Sequence, residues 1–261
     1  MEGTMDSIRD EAYALASEHV DRQGTFRSAY LDFDRGIRVG HLAVEERLTQ
    51  IIKGRLTARY GVRMLCDRWG RGMYWQWLCW VPEPNKRAKP LSAGHNFGST
   101  KFYVTIDRAQ RCFHAGMQVE RAPKHPDDKW PLTVEADWDW HVLLKALSAA
   151  ALPRHLHRLL REGFRLRVGA YASPTEYDHH TWDLTACRRT AQRFRANAWG
   201  GFQLFWPMSE QEVQVTPGPE PIEAILAVFA EVTPVMNVCM YAPCLPEPQR
   251  VGDTRPLPDE L

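Results

Sequence analysis

The sequence of 261 residues has no long apolar run, and this absence bears first on membranes. No segment reaches the ~18 to 20 consecutive apolar residues that a membrane-spanning helix needs. The stretch from Met1 to Arg22 is polar and acidic and lacks the apolar core of a secretory signal peptide. We therefore expect a soluble, cytoplasmic protein with no membrane partner.

The sequence also lacks the signatures of several enzyme classes. It contains no HExxH, no GxSxG, no glycine-rich phosphate loop and no dinucleotide-binding fingerprint. These absences argue against a zincin, an α/β-hydrolase, a P-loop NTPase and a nucleotide-cofactor oxidoreductase, so no cofactor is required. The six cysteines have irregular spacings without a CxxC pair, which predicts reduced and mostly buried thiols.

Lysine is scarce and tryptophan is abundant. The 33 basic residues comprise 26 arginines and 7 lysines, a bias that a GC-rich genome produces whatever the function, and they nearly balance 32 acidic residues. The 10 tryptophans indicate a large core, a binding face or both. Hydrophobic residues make up 44% of the chain and charged residues 25%, which is typical of a folded globular protein.

Hydrophobic periodicity predicts both helices and strands. The predicted helices are Met5–Arg22, Leu42–Tyr60, Trp138–Ala151, Pro153–Glu162, Leu184–Ala198 and Pro221–Val232, the last resuming after Pro234. The predicted hairpins join Val62–Arg68 to Met73–Val81 and Lys101–Asp107 to Cys112–Arg121, with further strands at Thr25–Phe33, Phe164–Tyr171 and Phe202–Trp206. The fold class is therefore α+β, an antiparallel sheet built from two hairpins and covered by segregated helices. We expect one domain over residues 1–242, with a candidate sub-boundary at 123–131, and a proline-rich irregular tail over 243–261.

The strand Met73–Val81 carries three tryptophans. Strict alternation places Trp75, Trp77, Cys79 and Val81 on one face and Tyr74, Gln76, Leu78 and Trp80 on the other. Because both faces are aromatic or apolar, we predict a central strand with at least one covered face. Two interpretations stay open, namely core packing and a platform on which flat ligands or bases stack.

Basic residues are concentrated in two segments. Lys53–Lys89 holds nine basic residues and two acidic ones, and Arg154–Arg195 holds nine arginines and four acidic residues. Basic residues interleaved with aromatic ones are typical of nucleic-acid binding. The candidate phosphate contacts are Arg63, Arg68, Arg71, Lys86, Arg87 and Lys89, and the candidate stacking residues are Trp69, Tyr74 and Trp80. A solvated surface with dispersed ion pairs explains the same pattern equally well.

A metal-dependent nuclease is the second hypothesis. Asp107 ends one predicted strand and Glu120 ends its hairpin partner, and two carboxylates that hold Mg²⁺ or Mn²⁺ would suit hydrolysis. The run resembles the Asp…Glu-x-Lys arrangement of restriction-type nucleases, but Ala122 occupies the lysine position. Carboxylates at strand ends also serve as plain turn formers.

Two further hypotheses concern a second metal site and a protein partner. The candidate metal ligands are Asp178, His179, His180 and Asp183, which suit a divalent ion, although loop histidines are commonly solvent-exposed instead. A non-enzymatic interaction subunit would pack its tryptophan-rich surface on another protein and expose an apolar patch. The sequence leaves the partner and the oligomeric state open.

The segments Phe102–Asp107 and Phe113–Met117 lie in the second predicted hairpin. They look like the central hairpin of an uncharacterised bacterial family, domain of unknown function 2461, which part of the chain resembles. The segments Leu152–Tyr171 and Phe202–Met236 are similar to its later helices and short strand, whereas the N-terminal region does not match. The resemblance implies an α+β fold and no particular chemistry, because the family has no established activity.

Overall fold

The computed structural model describes residues 26–93, 96–121, 135–193 and 199–246. Within them, nine strands are present: β1 (Leu31–Asp32), β2 (Gly36–Arg38), β3 (Met64–Arg71), β4 (Tyr74–Pro82), β5 (Lys101–Asp107), β6 (Cys112–Arg121), β7 (Arg165–Ala170), β8 (Thr175–Tyr177) and β9 (Gly200–Ser209). The α-helices of these residues are α1 (Leu48–Tyr60), α2 (Glu83–Arg87), α3 (Asp139–Ala146), α4 (Ala151–Arg161), α5 (Leu184–Gln192), α6 (Glu210–Val215) and α7 (Glu220–Cys239). Two short 3-10 turns, Ser28–Tyr30 and Val44–Glu46, precede α1.

All nine strands belong to one antiparallel sheet. Its order is β1-β2-β4-β5-β6-β9-β7-β8, and β3 pairs with β4 outside this path. The two predicted hairpins form and adjoin each other, since Cys79 of β4 faces Tyr103 of β5. The α+β fold class with an antiparallel sheet is therefore confirmed.

Helix α1 shows how the apolar pattern produces a buried helix. Leu48, Ile52 and Leu56 recur at every fourth position and are completely buried. Gly61 ends the helix with φ +64°, a left-handed conformation that glycine adopts without steric cost. The helix begins six residues later than Leu42, its predicted start, because the preceding residues form a 3-10 turn instead.

Helix α7 continues through Pro234, where the sequence pattern predicts an interruption. Proline lacks the N–H for the usual helical hydrogen bond. Next to it, Thr233 Oγ1 donates to the Phe229 carbonyl at 2.8 Å and lies 2.6 Å from the Tyr60 hydroxyl. We attribute the continuation to burial of α7 against β6, α1, α3 and α4.

Among the described helices, α7 alone is long and apolar enough to cross a membrane. Its most apolar window is 56% buried inside the protein, and the helix packs on both the sheet and neighbouring helices. The core helix of a soluble protein has these properties.

The two faces of the sheet differ. The main core lies between one face and helices α1, α3, α4, α5 and α7, and Phe229 of α7 stacks on Phe102 with ring centroids 4.7 Å apart. The opposite face carries a smaller core of Cys79, Val81, Tyr103 and Phe205, to which no described helix contributes. We call this second surface the helix-free face.

The sheet curls around its helix-free face. Arg167 of β7 forms a salt bridge of 3.0 Å with Asp107 of β5, although β6 and β9 lie between these strands. Three strand spacings in a flat sheet would separate their backbones by about 14 Å. Curling therefore brings the side chains of distant strands together above the smaller core.

A bulge in β4 overturns the predicted alternation of its tryptophans. Trp69 faces Trp77 but the next residue, Gly70, faces Trp75, so Gln76 is an extra residue in β4. Trp75 therefore packs on the main core while Trp77 packs on the smaller one. The alternation that grouped these two tryptophans on one face was wrong, because one unpaired residue inverts every side chain beyond it.

Several predictions lie outside the described residues. These are the helix Met5–Arg22, the sub-boundary at 123–131 and the tail beyond residue 246. Residues 243–246, the start of the predicted tail, are described and form neither helix nor strand.

Candidate functional site

The turn of the β3–β4 hairpin exposes an aromatic ring among arginines. The indole of Trp69 is 73% exposed, and Gly72 makes the turn with φ +66°. Arg71 faces Tyr74 across the hairpin. Arg68 places its guanidinium 4.4 Å from the centre of the Trp75 ring.

Two neighbouring turns add arginines to this end of the sheet. Arg35, between β1 and β2, lies over the Tyr74 ring at 5.1 Å and donates to its hydroxyl at 3.4 Å. Arg108, between β5 and β6, donates to the Arg35 carbonyl. We define the tip patch as Arg35, Arg68, Trp69, Arg71, Tyr74 and Arg108.

The arginines of the tip patch have no carboxylate partner within the described part of the chain. The arginines that form salt bridges in the described residues are others. One of them is Arg111, which binds Asp34 at 2.9 Å and also binds Glu210. Four guanidinium groups with no direct carboxylate contact thus lie at the end of the sheet that carries the exposed Trp69 indole. Arg71 shares the face of Trp69, whereas Arg68, which lies over Trp75, projects from the other face. Guanidinium groups can bind phosphates, and the indole offers a flat apolar face.

The sequence pattern predicted four residues of the tip patch, namely Arg68, Trp69, Arg71 and Tyr74. It did not predict Arg35 and Arg108. A signal for Arg108 was available. In an antiparallel meander, the β5–β6 turn must lie at the same end of the sheet as the β3–β4 turn. Arg35 had no comparable signal, because the pairing of β2 with the start of β4 is a tertiary contact.

Three predicted phosphate contacts lie elsewhere. Arg63 and Arg87 both bind the nearly buried carboxylate of Glu83, at 3.2 Å and 2.7 Å, and Lys86 of α2 is half-buried. Arg63 precedes β3 while Arg71 ends it, and eight residues of strand span about 27 Å. The predicted basic surface is therefore two separate clusters, and in one of them the single carboxylate of Glu83 pairs with two arginines.

The predictions for Lys89 and Trp80 were wrong, because both side chains are buried. Lys89 forms a salt bridge of 3.0 Å with Asp139, and neither side chain is exposed to solvent. Burial lowers the pKa of Lys89, although the Asp139 charge opposes that shift. Trp80 donates from Nε1 to the Thr49 carbonyl at 3.0 Å, which confirms the core-packing interpretation for this residue.

The catalytic pair Asp107 and Glu120 does not form. Asp107 faces Cys112 beside the hairpin turn, whereas Glu120 lies eight residues further along β6, about 27 Å away. The first strand of a hairpin ends at the turn, whereas the second strand ends at the other end of the hairpin. The two carboxylates therefore cannot share a metal ion. Asp107 instead accepts a hydrogen bond of 3.0 Å from the Gln110 backbone N–H, as a turn former does.

Glu120 pairs with Lys101 within the curled sheet. Both side chains are almost completely buried, and Lys101 also donates to the Asn96 carbonyl at 3.2 Å. Burial alone would lower the pKa of Lys101, but the Glu120 carboxylate outweighs it, so that the pKa is raised and the ammonium stays charged. Tyr171 approaches Glu120 at 3.5 Å and accepts a hydrogen bond of 2.7 Å from Gln118. Lys101 and Glu120 thus find their partners within the cluster, which indicates a structural role.

The predicted metal ligands have local structural roles instead. Asp178 Oδ1 accepts hydrogen bonds of 2.9 Å from the backbone N–H groups of His180 and Thr181, and they lower the pKa of Asp178 to about 2. Asp183 caps α5 by accepting from two backbone N–H groups. His179 lies beside His180, with ring centroids 3.5 Å apart. No group of three or more potential ligands occurs among the described residues, which contradicts the predicted four-residue site.

Three arginines of the second basic segment are paired with acidic residues. Arg158 binds both Glu162 and Glu231, and Arg165 and Arg167 both bind Glu176. The excess of basic residues in Arg154–Arg195 therefore does not produce a second basic surface at these three arginines.

His114 is a buried titratable residue of the helix-free face. It is almost completely buried, stacks on Phe205 with ring centroids 4.2 Å apart, and has no hydrogen-bond partner at Nε2. Burial, assisted by the positive charge of Arg167, lowers the pKa of His114 to about 4. The imidazole is therefore neutral at physiological pH.

Comparison with known proteins adds nothing to this geometry. No protein-family model, curated protein or solved structure matches the chain. The resemblance of the β5–β6 hairpin to domain of unknown function 2461 stays a prediction, and the tip patch is the candidate site on its geometry alone.

Proposed function

We propose that the protein binds nucleic acid through the tip patch, as an accessory subunit of a nucleic-acid-processing assembly in the cytoplasm. The observation that carries the proposal is the set of four arginines without carboxylate partners at the end of the sheet where Trp69 is 73% exposed. All six cysteines are free thiols, which agrees with a reducing compartment.

The charge of the patch suits a phosphate backbone. Guanidinium groups bind phosphate oxygens in a bidentate manner and stay charged at every physiological pH. Each neutralised phosphate releases counterions, so affinity falls with salt in proportion to the number of contacts. Four arginine contacts correspond to a slope of log K against log salt of about −2.8 for a single strand and about −3.6 for duplex DNA.

The double variant Arg68→Ala/Arg71→Ala tests the proposal. We expect weaker binding and a salt slope that is smaller in magnitude by about 1.4 to 1.8, because two phosphate contacts are removed. The measurement is fluorescence anisotropy of labelled single-stranded DNA, duplex DNA and RNA across a salt series, without divalent metal.

The matched control is Arg154→Ala/Arg161→Ala. It removes the same charge from two exposed arginines of α4, outside the tip patch, and should leave the slope unchanged. Equal effects of the two double variants would show that only net charge matters and would contradict the assignment to the tip. No binding of any nucleic acid at low salt would reject the function itself and would direct the search to a protein partner for Trp69.

A further inference from the structure

We propose that the tip patch selects unpaired strands, because the exposed ring of Trp69 stacks on a nucleotide base. This inference rests on the proposed function and specifies its ligand as single-stranded nucleic acid. It assigns Trp69 a role that the arginines cannot fill, since phosphate contacts do not detect whether a base is paired or unpaired.

The exposure of Trp69 sets it apart from other tryptophans of this protein. Trp80, Trp138 and Trp140 are at most 2% exposed and belong to the packed interior, whereas Trp69 is 73% exposed. A large apolar side chain in water contributes little to folding stability. Together with the uncompensated arginine that shares its face, Arg71, this exposure supports a role for the ring in stacking.

The backbone beside Trp69 fixes the face of the sheet from which this ring projects. The bulge of β4 lies directly beside Trp69. Gly70 has φ +146°, and a Cβ at this position would lie 2.7 Å from the Trp75 Cα atom, so glycine is needed for the close approach of the strands. Because of this geometry, Trp69 stands on the helix-free face opposite Trp77, and Arg71 follows two residues later opposite Tyr74.

This spacing places a ring and a cation side by side. Residues two apart on a strand project to the same face about 7 Å from each other. A base could therefore stack on Trp69 while the adjoining phosphate contacts Arg71. Duplex DNA cannot use the ring in this way, because its base faces are occupied by neighbouring base pairs. Stacking on an aromatic side chain tolerates every base, so no strong sequence preference is expected.

The test compares four ligands of equal length: oligothymidylate, oligouridylate, an abasic deoxyribose-phosphate strand and duplex DNA. Wild-type protein should bind oligothymidylate about 5- to 150-fold more tightly than the abasic strand, which has the same backbone charge and no bases. Trp69→Ala should remove this difference without changing the salt slope. Similar affinity for oligouridylate would extend the ligand to RNA. Clearly tighter binding of oligothymidylate or of oligouridylate would indicate that the natural ligand is DNA or RNA, respectively.

Two control variants separate stacking from indirect effects. Trp69→Phe keeps an aromatic ring and should retain most of the preference for bases. Val215→Ala shortens an apolar side chain that is also 73% exposed, on α6, and should change nothing. Equal affinity of wild-type protein for oligothymidylate and the abasic strand, with a steep salt slope, would overturn the stacking inference and leave the proposed function intact. Absence of binding to all four ligands would reject both.

Discussion

Replacing Asp139 by alanine is expected to lower the free energy of unfolding by about 3 to 5 kcal/mol. The Asp139 carboxylate is completely buried and lies 3.0 Å from Lys89 Nζ, and Asn85 donates to it at 2.8 Å. Its removal would leave the buried Lys89 ammonium without a counter-charge. An uncompensated buried charge is costly even where the intact pair contributes little net stability.

The backbone contacts of Asp139 raise the expected loss. Its carboxylate also accepts hydrogen bonds from the N–H groups of Thr100 and Tyr241, so one side chain joins α3 to the start of β5 and to the segment after α7. Urea unfolding followed by circular dichroism measures the effect. The control Asp178→Ala changes an exposed turn and should cost much less. A loss below about 1 kcal/mol for Asp139→Ala would contradict the structural role of this carboxylate.

The second large effect concerns acid stability and His114. Its pKa is about 4 in the folded protein and 6.5 without burial, so the unfolded chain takes up a proton first as the pH falls. The contribution of His114 to folding stability is therefore complete above pH 6.5 and is lost between pH 6.5 and pH 4. A shift of this size corresponds to about 3 kcal/mol.

The variant His114→Gln should lose this pH dependence whatever its absolute stability. The charged neighbours that act on His114 stay in place in the variant; they are Arg167, Asp107, Glu176 and Arg165. Their own effects on the pH dependence of unfolding are therefore present in both proteins. Unfolding curves at pH 7, 5.5 and 4.5 provide the measurement, and His157→Gln on the surface of α4 is the control. Parallel pH profiles of wild-type protein and His114→Gln would show that His114 titrates normally.

Local patterns in the sequence were sufficient for the regular elements. The recurrence of Leu48, Ile52 and Leu56 predicted α1, and the glycine-containing turn before Met73 predicted the β3–β4 hairpin. Both features depend on contacts between residues close in sequence. The fold class followed from these elements, because adjoining hairpins favour an antiparallel sheet.

Tertiary contacts decided the features that the sequence did not predict. Gln76 has no residue signature of a bulge, yet it reverses the face on which Trp75 lies. Lys89 looked like a surface cation because its buried partner, Asp139, is fifty positions away. The sequence predicted four of the six tip-patch residues, and Arg35 was missed for the same reason, since it reaches Tyr74 through pairing between distant strands.

The position of β9 has a consequence for the order in which the sheet assembles. This strand lies between β6 and β7, and its residues pair with β6 residues that come 79 to 97 positions earlier in the chain. On the ribosome, the β3–β6 meander and the β7–β8 hairpin are synthesised as two separate units with open edges. Strand edges without partners favour association between chains. Insertion of β9 closes both edges at once, so the sheet stays open to association between chains until β9 has been synthesised.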